Sequence, residues 1–115
     1  MQRQFRLRRS TDVKRVRRLG KSYAHPFVLL MALKNDLPRL RVGVAAGRRV
    51  GGAVQRNRAK RLLRAAMQPL LPNLAPGWDV LLIARPPLPK ATMLEVRTAL
   101  SSLLQRAGLP ASHDA

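Results

Sequence analysis

Residues Gly47–Arg64 read GRRVGGAVQRNRAKRLLR. From Ala53 onward, Ala59, Leu62, Leu63, Ala66, Met67 and Leu70 recur at the i, i+3, i+4, i+7 spacing of a helix with one apolar face. At about 100° per residue, Asn57, Lys60, Arg61 and Arg64 fall on the opposite side, with Arg56 and Arg58 on the flanks. Arg48 and Arg49 bring the stretch to seven cations, and Arg41 lies just upstream. An apolar back and an arginine front suit a helix that lies between a protein core and a polyanion. The planar guanidinium fork matches phosphate oxygens and base edges better than a compact ammonium does. Solvated helix faces normally mix both signs, yet no acidic residue occurs between Asp36 and Asp79.

Gly51-Gly52 opens this helix with a weak cap, and Pro69 and Pro72 end or kink it. Upstream, Phe27–Leu33 is an apolar run of strand length, followed by the turn chemistry of Asn35-Asp36-Leu37-Pro38. Leu40, Val42, Val44 and Ala46 then alternate with Arg41, Gly43 and Ala45, as in the second arm of a hairpin. A short helix is expected from Ser10 as N-cap, with Asp12 in its first turn, Val13, Val16 and Leu19 inward, and Gly20 as its stop. Lys21–His25 adds a short strand. Downstream, Pro76-Gly77 turns the chain into a further apolar strand, Trp78–Ala84. Thr92 and Glu95 form a capping box before a helix striped by Val96, Ala99, Leu100, Leu103, Leu104 and Ala107, with a Schellman ending at Gly108-Leu109. The order predicts a small α+β fold of helices against a mostly antiparallel sheet. A basic arm at 1–9 precedes the domain at 10–109, and a frayed tail occupies 110–115.

The whole chain of 115 residues supports one compact domain. Its 23 basic and 5 acidic residues give a net charge of +18, and the excess is lopsided. Residues 1–64 carry 19 basic and 2 acidic side chains, whereas 65–115 carry 4 and 3. Such a field favours a densely anionic partner. At 46% hydrophobic residues the chain is too apolar for a disordered basic tail. No apolar run approaches the ~20 residues of a membrane span, and the basic N-terminus is not followed by an apolar signal core. Without cysteine there is neither a disulfide framework nor a thiolate metal site, and a cytoplasmic location is expected. Phe5, Tyr23, Phe27 and Trp78 are the only aromatic residues besides the two histidines. Because single-strand binders usually stack bases on rings, charge, hydrogen bonding and shape must carry most of the binding here.

Phosphodiester hydrolysis by protein groups needs metal-binding carboxylates or a histidine acid/base pair. Asp12, Asp36, Asp79, Glu95 and Asp114 share no motif, and His25 and His113 lie far apart. No catalytic residue is expected in this chain. Gly47, Gly51 and Gly52 around Arg48-Arg49 have part of the make-up of a phosphate loop, but the Gly-Lys-Ser/Thr ending is missing. Two glycines that permit a strand-to-helix turn explain them more simply.

At Ala53-Val54-Gln55-Arg56-Asn57-Arg58-Ala59-Lys60-Arg61-Leu62-Leu63-Arg64 the chain closely resembles the bacterial ribonuclease P protein subunit, a family marked by an Arg-Asn-Arg helix. The likeness extends through Phe5-Arg6-Leu7, Asp12, Gly20, Phe27-Val28-Leu29, Arg41-Val42-Gly43 and Ile83-Ala84-Arg85-Pro86, from about residue 3 to 109. The resemblance implies an αβββαβα fold like that of the second domain of ribosomal protein S5. Its four strands pack with three helices, and a left-handed crossover runs through the arginine helix, where general rules favour the other hand. It implies removal of the 5′ leader of precursor tRNA by a ribonucleoprotein whose RNA is the catalyst. It implies that Arg56, Asn57, Arg58, Lys60, Arg61 and Arg64, with Arg48 and Arg49 on the neighbouring loop, contact the catalytic RNA. It also implies a leader cleft between first helix and sheet, around Val13, Arg17, Phe27 and Leu30. The family usually carries aromatics at the positions of Val13 and Arg17, and often of Leu30; Gly52 stands where it usually has an asparagine cap. No cofactor is expected on protein side chains, and magnesium is expected with the RNA and substrate. The implied partners are the catalytic RNA and precursor tRNA, with no membrane and no small-molecule substrate.

Charge and size fit a general RNA- or DNA-binding protein of ribosomal or nucleoid type equally well; only the ordered motif separates the two. A cationic membrane-active peptide fits poorly, because the apolar residues are needed inside.

Overall fold

The computed structural model describes residues 5–110. Strand β4 (Trp78–Ala84) has the most buried sequence of the sheet and takes an inner place in the order β1-β2-β4-β3. Strands β1 (Lys21–Ala24) and β2 (Val28–Lys34) form a hairpin, and β2 pairs antiparallel with β4 from Val28↔Ala84 to Lys34↔Trp78. Strand β3 (Arg41–Ala46) runs parallel to β4. The hairpin expected between the Phe27–Leu33 run and the Leu40–Ala46 segment is therefore split, with β4 inserted between its arms. Burial on both faces suits β4 to an inner position, while Arg41 and the polar residues of β1 suit the edges. The turn at Asn35–Pro38 accommodates the wider gap. Asn35 Oδ1 accepts the Leu37 N–H at 2.9 Å, and the Asn35 N–H donates to Gly77 O at 2.9 Å, pinning the connection across the end of β4.

Parallel neighbours need a long crossover. Here it contains helix α2 (Ala53–Met67) followed by a 3-10 segment, Gln68–Asn73, with Pro69 and Pro72 inside it. Ala59, Leu63, Ala66 and Met67 are buried, as the stripe predicts. They meet α3 (Met93–Arg106) and the sheet face made by Val28, Leu30, Ala32, Val42, Val80 and Leu82. The Thr92–Glu95 capping box is present, with both reciprocal bonds formed. At the far end Leu109 N–H donates to Leu104 O, the long bond of a Schellman ending.

Helix α1 (Ser10–Leu19) covers the opposite sheet face, where Leu7, Val16 and Leu81 form a smaller core. Two details of α1 differ from expectation. Its N-cap is Arg9, with no side-chain cap bond, because the helix already includes Ser10. Leu19 is 56% exposed, since so short a helix reaches the sheet with only Val16 and part of Val13. Before α1, Leu7 N–H donates to Val42 O at 2.9 Å, so the arm lies along β3. Gly43 permits this approach, because a Cβ there would meet Leu7 O at 2.8 Å. At the other end Pro110 bridges to Leu74; residues 1–4 of the expected arm and 111–115 of the expected tail lie outside the described residues.

Candidate nucleic-acid interface

With its apolar stripe fixed on the core, α2 leaves Asn57, Arg58 and Arg61 exposed. Arg56, Lys60 and Arg64, spaced by four, are half-buried along the helix. Lys60 and Arg64, expected opposite the apolar stripe, are thus less outward than expected, and Arg58, expected on a flank, is exposed. At about 100° per residue Lys60 lies only about 60° from buried Leu63. Long stems let half-buried cations keep their charged ends in water. Among the described residues both ion pairs involve Arg41, so no carboxylate neutralises the α2 cations. Helix α2 also begins at Gly52 with no side-chain cap and no acidic residue in its first turn.

Arg48 and Arg49 are exposed on a 3-10 turn, Arg48–Val50, anchored by buried Val50. Gly51 follows at φ 140°, a conformation open to glycine. The turn stands at the sheet end from which β3 leaves, between two concavities. One, of about 570 Å³, runs over the α1 side of the sheet and is lined by Leu29, Ile83, Arg48, Arg49 and Arg85. The other, of about 480 Å³, lies between α2 and the segment Pro86–Ala91. Arg85 and Lys90 are functional candidates that the sequence did not single out. Arg85 stood in the Ile83–Pro86 stretch of the family likeness without a role, and the only signal for Lys90 was its place as an isolated cation in the proline-rich connection after β4.

The residues expected around a leader cleft do not share one face. Val13 and Arg17 belong to α1, with Val13 half-buried and Arg17 exposed. Leu30 is fully buried in the main core, on the sheet face that packs with α2 and α3. Phe27 sits in the β1–β2 turn and packs against that same core, its N–H donating to His25 Nδ1 at 3.1 Å. Strand alternation is the reason: with Leu30 turned to α2, its neighbours Leu29 and Met31 face the α1 side. On the α1 side the sheet carries half-buried Leu29, Met31, Ala45 and Ile83, an aliphatic surface of which Leu29 and Ile83 line the 570 Å³ trough.

Arg41 is separate from the outward cations. Its Nε and Nη2 donate to Asp79 Oδ1 and Oδ2 at 2.8 and 2.7 Å, and its Nη1 donates to Asp12 Oδ2 at 3.2 Å. Asn35 Nδ2 completes the cluster with a 2.8 Å bond to Asp79 Oδ1. The hydrogen bond with Asp79 is the main reason that the guanidinium is held above its ordinary value, against the opposing effect of burial. The cluster ties α1, β3, β4 and the Asn35 turn together. Among the described residues, no group of three or more His, Cys, Asp or Glu could hold a metal ion, and no helix is long and apolar enough to cross a membrane.

An arginine-fronted crossover helix on a four-stranded mixed sheet matches one known family over nearly the whole chain: the sequence model described as Ribonuclease P covers residues 1–108. The chain belongs to the ribonuclease P protein family. A ribonuclease P protein component of Herpetosiphon aurantiacus is 38% identical over 109 residues, spanning 95% of this chain and 89% of the relative. That of Roseiflexus castenholzii is 40% identical over 110 residues, spanning 95% and 90%. Among solved structures, the RNase P protein of Staphylococcus aureus matches with a TM-score of 0.82 at 25% identity, over 93% of this chain and 98% of that one. The RNase P protein of Thermotoga maritima matches with a TM-score of 0.78 at 28% identity, over 88% and 96%. Membership makes the chain a protein component of an endoribonuclease of tRNA processing, with RNA as a partner in the holoenzyme.

Proposed function

We propose that this chain seats the catalytic RNA of ribonuclease P on the outward face of α2 and steadies the 5′ leader of precursor tRNA in the trough beside α1. The observation that carries this reading is the unneutralised arginine face of α2 in a member of this family. Arg56, Asn57, Arg58, Lys60, Arg61 and Arg64 supply guanidinium, ammonium and amide donors on a helix that its buried stripe holds rigid. Arg48, Arg49 and Arg85 gather at the end of the trough, where they would neutralise leader phosphates. The chain thereby screens repulsion between two polyanions without taking part in bond cleavage. Three of its carboxylates are engaged within the protein: Asp12 and Asp79 on Arg41, Glu95 in the α3 cap. Magnesium then belongs to RNA and substrate phosphates, and the work is done in the bacterial cytoplasm.

Reconstitution tests this. The protein is mixed with the catalytic RNA and a precursor tRNA at low magnesium. Restored release of the leader is expected. Arg58→Ala or Arg61→Ala should weaken binding to the catalytic RNA and flatten its salt dependence by roughly 0.7–0.9 log units for each phosphate no longer neutralised. Unchanged affinity of both variants at every salt concentration would overturn the assignment of this face. Compaction of any nucleic acid without cleavage would instead indicate a general binder.

A further inference from the structure

We infer that the concavity between α2 and the Pro86–Ala91 segment is a second, recessed part of the surface that seats the catalytic RNA, holding an RNA phosphate between Arg58 and Lys90. The inference rests on the assignment of α2 to that RNA and extends it to a segment outside the arginine motif. The cavity, about 480 Å³, has Gln55, Arg58 and Lys90 as its polar lining and Val50, Pro86 and Pro89 among its apolar walls. Val50 and Pro89 are buried, so the floor is fixed by the fold. Lys90 is exposed at the end of a 3-10 turn, Leu88–Lys90, whose Leu88 is fully buried; the ammonium is thus carried by an anchored segment.

Three observations favour RNA as the occupant. The lining contains two cations and no carboxylate. The nearest acid in sequence, Glu95, is committed to the Thr92 backbone at 2.9 Å. Val54, one turn before Arg58 on the same side of α2, is 79% exposed, an apolar surface beside a charged cleft. A sugar–phosphate backbone presents that mixture, with an anionic group flanked by ribose and base edges, and Gln55 supplies both a donor and an acceptor for a ribose hydroxyl. The uncapped start of α2 adds the positive end of a helix dipole to the same region. The cavity lies on the α2 side of the sheet, whereas the proposed leader trough lies on the α1 side, so its occupant is the catalytic RNA.

Titration of the full chain with ribonuclease P RNA at several potassium chloride concentrations tests this, using Lys90→Ala, Lys90→Glu and, in parallel, Arg61→Ala. Lys90→Ala should weaken binding by about 3–10-fold at low salt and flatten the log–log salt slope by roughly 0.7–0.9, with Lys90→Glu weaker still and melting temperatures unchanged. Parent-like binding of both Lys90 variants alongside a weakened Arg61→Ala overturns the inference and leaves the α2 assignment standing. If Arg61→Ala also binds normally, both fall. The chain contains no cysteine, so Lys90→Cys accepts a single photo-crosslinker in the reconstituted holoenzyme. Crosslinks to the catalytic RNA are expected; crosslinks confined to precursor tRNA overturn the proposal.

Discussion

Arg41 shows why position matters more than charge for a basic residue in this chain. It stands only a few residues upstream of the outward arginines, yet it turns inward to a carboxylate that is 3% exposed. Removing one member of a buried pair leaves the other desolvated and uncompensated, at a cost of about 3–5 kcal/mol. Arg41→Met should therefore lower the melting temperature by roughly 12 °C or more, measured by circular dichroism. Below that temperature its RNA-binding salt slope should match the parent's; a flattened slope would make Arg41 an RNA-binding residue after all. Its raised ionisation has a defined sign: the stabilisation is complete below the ordinary arginine value and is lost only as pH rises through the higher folded value. The penalty of Arg41→Met should therefore be the same at about pH 6 and about pH 9 as far as Arg41 ionisation is concerned.

Helix α2 has a buried apolar side and an exposed cationic side, so that folding and the proposed binding can be probed separately, and its N-terminus is open to improvement. Gly52 has φ −71° and ψ −175°, an extended conformation that any residue adopts, and a Cβ there would meet nothing within 4 Å. Gly52→Asn supplies a side-chain oxygen for the first-turn N–H groups and should raise stability by a few tenths of a kcal/mol, about 1–3 °C in melting temperature. A drop instead would show that the Gly51-Gly52 turn tolerates no side chain. On the two faces, Leu63→Ala should cost about 2–5 kcal/mol, whereas Arg61→Ala should leave melting unchanged within about 0.5 kcal/mol. This division was legible in the sequence because a period of 3.6 residues fixes which side chains meet the core. The strands β2 and β4, the α3 capping box and its Schellman ending were legible for the same reason: each is a local pattern. Sheet order was not. The six residues between β2 and β3 fit a loose hairpin as well as a connection that steps across a strand, and only the competition for the inner position decides. The face that Leu30 takes was not legible for a related reason, since a shift of one residue along β2 exchanges Leu30 for Leu29 or Met31 and reverses the face. Lys90 and Arg85 carried no periodic signal at all; the fold alone brings them beside the α2 start and the Arg48–Arg49 turn.

Across the whole molecule, the charge that fits the protein to RNA works against its own folded state. With a net charge of +18, of which residues 1–64 hold 19 bases against 2 acids, the compact chain concentrates repulsion that the unfolded chain dilutes. The Arg41–Asp79 pair, whose carboxylate is buried and whose guanidinium is half-buried, is less affected by salt than the exposed cations, because screening acts on charges exposed to solvent. Added salt should then act in opposite directions on the two properties of this protein. Raising sodium chloride from about 50 mM to about 300 mM shortens the screening length from roughly 14 Å to about 6 Å, which should raise the melting temperature of the free chain by several degrees. The same change should weaken binding to the catalytic RNA by orders of magnitude, as counterion release ceases to favour the complex. Bound RNA replaces what salt does for the free chain, so the complex should melt above the free protein at low salt and approach it as salt rises. Differential scanning fluorimetry of the chain with and without the catalytic RNA across that range measures both trends together. A free-chain melting temperature that stays flat or falls over this range would mean that the arginine face carries no appreciable repulsion, and that its cations are already neutralised within the protein.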